Sequence, residues 1–270
     1  MERRMIKKIA KLVLNPGKYL CLAIRMLQQK MCSLFQNTSF FMQGQMDINP
    51  KSRWHNDAFS VSTGGYYPKN DPTNRQICNL EPWDNTRRDM LVLLLRTIAE
   101  KNIVGDIAEI GVYKGSTAKL IHHYMPERKL HLFDTFEGFT DRSVVAEKEN
   151  TDYSIFESHF SDTSLERVKA CISQKNSNVL YYKGYFPESI PEDLHQLKFA
   201  FVHLDADLYE PTLEGLKFFY PRMNTRGLIV VHDYNAWPGA RKAVDDFFSD
   251  KNELPLPMPD KSGSVLIVKQ

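Results

Sequence analysis

FAFVHLDADLYEPTLEGLKFFYPRMNTRGLIVVHDY, residues 199–234, holds two short apolar runs, Phe199–Leu204 and Leu228–Val231. Both are rich in the β-branched and aromatic residues expected of buried parallel strands. Each run ends in acid: Asp205 and Asp207 close the first, Asp233 the second. Between them Leu213, Leu216, Phe219 and Tyr220 recur at helical spacing, so the unit is strand, helix, strand. A right-handed crossover makes the strands parallel and, if they are neighbours, brings both acidic ends to one edge of the sheet. Open α/β sheets bind ligands at that edge. Carboxylates converging there, with His232 beside Asp233, point to a divalent metal site rich in oxygen; the competing reading is that strand-end Asp residues serve as turns and caps.

Outward from this stretch the same alternation continues. Upstream, Met90, Leu91, Leu94, Leu95 and Ile98 form one helical face, followed by the strand DIAEIG, a helix starting at Gly115 and Ser116, and the strand LHLFD ending at Asp134. SDTSLERVKACISQ is then a helix and NVLYYKG a strand. Downstream a helix runs from Pro238 to Ser249, and LPLPMP and SVLIVKQ flank a turn at DKSG. The prolines of the first arm place it at a sheet edge. The expected fold is α/β: a mostly parallel seven-stranded sheet with a C-terminal antiparallel hairpin and helices on both faces. Five parallel strands followed by a hairpin is the Rossmann-like plan of the class I S-adenosylmethionine (SAM) methyltransferases.

The first turn, AEIGVYKGSTA, separates cofactor classes. Val112 and Tyr113 stand where a dinucleotide fingerprint would carry its second glycine, so a pyrophosphate fits poorly and a nicotinamide oxidoreductase is disfavoured. SAM carries no phosphate. Glu109 ahead of the turn can meet its cationic end, Gly111 permits close backbone approach, and Asp134, 23 residues on, suits ribose hydroxyls. The plainer alternative is an ordinary strand-to-helix turn over a buried Glu.

Composition narrows the rest. At 270 residues, 42% apolar and 25% charged, the chain is one large domain or a domain with an appendage. Four scattered cysteines without a CxxC pair fit a reducing, cytoplasmic setting. The net charge of +2 hides an asymmetry, because residues 1–30 carry eight Lys or Arg against one Glu while the remainder is mildly acidic. No folded basic face is expected, which excludes a nucleic-acid partner. Residues 1–35 form a basic amphipathic arm: Lys11, Pro16 and Gly17 break its first apolar run, so it is expected to be neither signal peptide nor membrane span. It either lies peripherally on an anionic membrane surface or packs as helices on the body or on a second copy in a homo-oligomer. Residues 36–85 are loop-rich with interspersed aromatics, the composition of a lid, and the catalytic domain is expected over 86–270.

From about Arg87 to Lys269 the chain resembles the macrocin O-methyltransferase (TylF-type) family. AEIGVYKGST, LFDTFEGF, KGYFPESIP, FVHLDADLYEPT, FYPRM, TRGLIVVHDY and GARKAVDDFF carry the resemblance, in that order. It implies a SAM-dependent and Mg²⁺-dependent O-methyltransferase acting on a sugar hydroxyl of a glycosylated natural product or surface glycan. By position, Glu109, Gly111, Gly115 and Ser116 look like the SAM-binding turn and Asp134 like the ribose acid. Phe136 to Phe139 and Gly184, Tyr185 and Phe186 resemble the loops around the cofactor. Asp205 resembles a metal ligand that doubles as general base, and Asp233 a second ligand. The family usually has two adjacent acids where this chain has His232 and Asp233. An imidazole suits Mn²⁺ better than Mg²⁺, so His232 is either a third metal ligand or a catalytic base. The alternatives are a catechol-like small-molecule methyltransferase and a non-catalytic, membrane-associated SAM-binding protein.

Overall fold

The computed structural model describes residues 84–155, 159–172 and 178–270. The amphipathic arm (1–35) and nearly all of the expected lid (36–85) lie outside the described residues. Helix α1 (Asn85–Glu100) leads into β1 (Asp106–Ile110), α2 (Ser116–Tyr124), β2 (Leu130–Asp134), α3 (Asp141–Thr151), α4 (Leu165–Ile172) and β3 (Val179–Lys183). Then come β4 (Phe199–Leu204), α5 (Tyr209–Phe219), β5 (Met223–Val231), α6 (Pro238–Phe248), β6 (Leu256–Pro257) and β7 (Val265–Val268).

The strands form one seven-stranded sheet in the order β3-β2-β1-β4-β5-β7-β6. The first five pair in parallel, and β7 pairs antiparallel with both β5 and β6, so the expected hairpin closes the sheet with its proline arm at the edge. Period two assigns the side chains to two apolar layers. Ile107, Leu132, Phe201 and Val230 pack with Leu91 and Leu95 of α1, Leu120 of α2 and Val168 of α4. On the other face Ile110, Val202, Leu204 and Val231 pack with Leu216 and Phe219 of α5 and Val244 and Phe248 of α6. Ala200 interrupts this alternation: Asp106 and Ile107 pair with Phe199 and Phe201, skipping one residue of β4. Beyond that bulge His203 falls on the α1 side, opposite Glu109 of β1.

Three local features differ from the sequence reading or lie outside it. Helix α3 was not legible, because its inward positions are Ser143 and Glu147 and no apolar stripe marks it; a Thr140–Ser143 capping box starts it instead. Strand β5 begins at Met223, five residues before the apolar run at Leu228. His122 is buried at 8% exposure although it stands in a polar stretch of the helix, since α2 is covered by both α1 and α4, whereas His123 is exposed. Among the described residues no helix is long and apolar enough to cross a membrane.

Candidate active site

The C-terminal ends of β1, β4 and β5 are joined backbone to backbone. Asp205 N–H donates to Ile110 C=O at 2.8 Å and His232 N–H to Leu204 C=O at 2.8 Å. At the β1 turn Gly111 has φ +81, and a Cβ there would lie 2.0 Å from the Asp205 carbonyl oxygen, so only glycine fits. A cleft of about 700 Å³ opens over these ends. On its β2 side Asp134 accepts from three backbone amides, Val112 and Tyr113 at Oδ2 (2.7 and 2.9 Å) and Phe136 at Oδ1 (2.5 Å). Burial pushes the Asp134 carboxyl above the ordinary aspartate value, with the three amides opposing it. Opposite the strand ends a run of rings, Trp237 to Phe139 (6.0 Å), Phe139 to Phe160 (5.2 Å) and Phe160 to Tyr113 (5.1 Å), forms one cleft wall.

On the β4–β5 side Asp205, His232 and Asp233 present ligand atoms that all lie within 4.8 Å of one another. His232 Nδ1 is 2.7 Å from Asp205 Oδ1 and 2.9 Å from Asp233 Oδ2. Burial opposes charge on the imidazole, but Asp205 and Asp233 outweigh it and push His232 up to about 9. Burial likewise works against the Asp205 carboxylate, yet Arg87 and His232 hold it well below the usual range. Arg87 Nη2 donates to Asp205 Oδ2 at 2.5 Å. Asp207 is the converse case, held well above the usual range by burial and by its hydrogen bond to Asp233. At neutral pH two cations, Arg87 and His232, therefore face two carboxylates, Asp205 and Asp233, and the neighbouring Asp207 is biased toward its neutral form. His232 Nε2 points toward Asp260 Oδ2 at 3.9 Å and finds no hydrogen-bond partner among the described residues.

The family described as Macrocin-O-methyltransferase (TylF) matches residues 84–264. The chain belongs to this family. It is 27% identical over 170 residues to 8-demethyl-8-(2,3-dimethoxy-alpha-L-rhamnosyl)-tetracenomycin-C 4'-O-methyltransferase of Streptomyces olivaceus, a match covering 60% of this chain and 64% of that one. It is 26% identical over 161 residues to demethyldecarbamoylnovobiocin O-methyltransferase of Streptomyces niveus, covering 54% and 59%. The chain thus spans about three fifths of the length of the curated relatives it matches. Among solved structures it is similar to the O-methyltransferase NovP, with TM-score 0.61 and 22% identity over 69% of this chain and 80% of that one, a likeness of fold.

In this TylF-family chain the structure gathers most of the sequence-predicted positions around the cleft. Gly111, Ser116 and Asp134 line its cofactor-turn side; Gly184, Tyr185 and Phe186 follow β3; and Asp205, His232 and Asp233 form the far edge. Of Phe136 to Phe139 only Gly138 and Phe139 line the cleft, and Gly115 and Glu109 are also off the lining. Gly115 faces Val168 and Ile172 of α4, leaving its contribution to the start of α2. Glu109 is 1% exposed beneath the turn, its Oε1 hydrogen-bonded to His203 Nδ1 at 2.9 Å. Burial holds the Glu109 carboxyl well above its ordinary value and His203 down to about 3, so both favour their neutral forms. Glu210 binds Arg142 and Tyr185.

Arg87 and Trp237 were missed. Arg87 carried a signal, since it shares the helical stripe of Leu91, Leu95 and Ile98, where a charge needs a buried partner. Trp237 lies four residues beyond Asp233 and donates its N–H to the Asp233 carbonyl at 2.8 Å. That turn sets it over the cleft.

Proposed function

We propose that the chain is a SAM-dependent O-methyltransferase acting on a sugar hydroxyl of a glycosylated small molecule or surface glycan, assisted by a divalent ion, with residues 86–270 as its catalytic domain. The observation that carries this reading is the convergence of Asp205, His232 and Asp233 at one edge of a cleft whose other edge is the Gly111 turn. The names of the relatives, methyltransferases of a rhamnosyl-tetracenomycin and of the mycinamicin III 3''-oxygen, support the acceptor class.

The cofactor half fits SAM. The cleft volume lies in the range of small-ligand sites. Gly111 leaves the turn free of a side chain, so a ligand can approach its backbone closely, and Glu109 Oε2 beneath the turn is buried without a partner among the described residues. When bound, SAM supplies an electrophilic methyl group. The other half fits a divalent ion with two carboxylate oxygens and one imidazole nitrogen. Mg²⁺ prefers oxygen alone, so the nitrogen favours Mn²⁺. Such an ion supplies Lewis acidity that lowers the pKa of an acceptor hydroxyl.

The chain's own groups do the remainder. The hydroxyl proton passes to a carboxylate of the cluster or to His232 in its neutral form, and the fixed backbone position of Asp205, whose Oδ1 is the oxygen not taken by Arg87, orients the acceptor. The ring wall from Trp237 to Tyr113 excludes water from the reacting centre. The test is transfer of radiolabelled methyl from SAM, in Mn²⁺, to a panel of rhamnosyl and other deoxyhexosyl glycosides beside a panel of catechols. Glycoside methylation that drops at least about 100-fold in Asp205→Asn is expected. Methylation of catechols alone, or an Asp205→Asn variant at the wild-type rate, would sink the reading.

A further inference from the structure

Arg87 stands in the first turn of α1 with its side chain 8% exposed. A guanidinium keeps its charge at any physiological pH, so burying one is costly unless carboxylates face it. The carboxylate it meets is the one at the centre of the candidate site. Its Nη2 donates to Asp205 Oδ2 at 2.5 Å and lies 3.5 Å from His203 Nε2, while its Nε has no partner among the described residues. His203 in turn rests on Glu109, so a buried polar line runs Glu109, His203, Arg87, Asp205 along the α1 side of the sheet. The other oxygen of Asp205 faces His232.

Asp205 therefore has one oxygen committed to a permanent internal cation and one left for the cleft. A divalent ion entering among Asp205, His232 and Asp233 meets two obstacles that the three-residue cluster alone would not present. Asp205 can offer a single oxygen, and a fixed positive charge sits directly behind it. We propose that Arg87 is a resident counter-cation that makes this site a weak, readily exchanging holder of its divalent ion. The inference rests on the metal-assisted reading above. It gives Arg87 a positioning role as well, since the guanidinium selects which Asp205 oxygen is presented. Lysine would keep the charge, but not the planar guanidinium whose single Nη2 lies against both Asp205 Oδ2 and His203 Nε2.

The test is Mn²⁺ binding followed by electron paramagnetic resonance, in the presence of S-adenosylhomocysteine, for the full chain and four variants. Arg87→Met and Arg87→Gln, both neutral, are expected to bind Mn²⁺ at least about tenfold more tightly than the wild type, and Arg87→Lys within about threefold of it. Asp205→Asn is expected to bind at least about tenfold more weakly. S-adenosylhomocysteine affinity within about threefold of wild type identifies a variant whose cleft is intact, so a misfolded Met variant leaves the Gln and Lys pair to decide. Equal or weaker Mn²⁺ binding by folded neutral variants overturns the role of Arg87 while leaving the metal reading standing. Wild-type binding by Asp205→Asn, or no saturable binding by any protein, overturns both.

Discussion

The ionic state of His232 gives a sharp expectation for pH. Its imidazole is pushed up to about 9 by Asp205 and Asp233 acting against burial, so at pH 7 the fraction able to offer a lone pair is about one in a hundred. An ion that uses Nδ1 must first displace that proton. Two pH units correspond to about 3 kcal/mol, or a factor of about 100 in apparent affinity. Mn²⁺ affinity should therefore rise about tenfold for each unit between pH 6.5 and 8.5, with close to one proton released per ion bound. Isothermal titration in buffers of differing ionisation enthalpy reads both quantities. His232→Asn, whose amide oxygen needs no deprotonation, should flatten the slope. Affinity that changes less than about threefold over that range, with no proton release, would refute the assignment of His232 as a ligand. The ion-free protein should show the opposite trend. A folded-state pKa above the unfolded value of roughly 6.5 contributes stability that is fully present below pH 6.5 and is lost as pH rises through 9. That contribution is about 3 kcal/mol, and urea unfolding across the range should reveal it.

Asp134→Ala removes the acceptor of three backbone amides at once; a loss of about 2–4 kcal/mol in urea titrations and an S-adenosylhomocysteine affinity at least about tenfold weaker are expected, and unchanged cofactor binding would show that the turn does not depend on this carboxylate. Gly239→Ala places a Cβ 2.3 Å from Glu147 Oε1 and 2.5 Å from the Tyr209 amide, which Glu147 Oε2 accepts at 2.8 Å. It should cost about 1–3 kcal/mol, and combining it with Glu147→Ala should cost less than the two changes summed, whereas strict additivity would mean that the clash lies elsewhere.

The sequence was most informative where burial on both faces of a strand leaves little choice of residue. Phe199–Leu204 and Leu228–Val231 read as buried strands, and their parallel pairing carries Asp205 and Asp233 to the same edge. The prolines around Leu256 marked the sheet edge for the same kind of reason, the absence of an amide to donate. Polar elements were harder. Helix α3 buries Ser143 and Glu147 where apolar residues would have announced it, and the start of β5 is masked by Asn224, Thr225 and Arg226. The candidate site was legible in its acids and in His232, and not in Arg87. Which carboxylate a buried Arg87 meets is fixed by the packing of α1 against β4, a tertiary fact with no local pattern. Asp134 shows the same limit: its distance from Gly111 indicated proximity to the turn, while its three amide contacts depend on how that turn closes.

At Gly111 the close approach of the turn to the Asp205 carbonyl leaves no side chain between the two halves of the cleft. On the proposed reading, in mechanical terms, the donor seat and the acceptor seat share one bearing surface made of main chain. Side chains hop among rotamers on fast timescales, whereas main chain locked into adjacent strands moves as a block. The span between the methyl donor and the receiving oxygen is then set like the gap of a caliper, by the frame and not by adjustable fingers. Tolerance for error in that span would be inherited from the sheet itself, and drift in acceptor specificity among related chains should fall on the ring wall around Trp237, leaving the shared joint untouched.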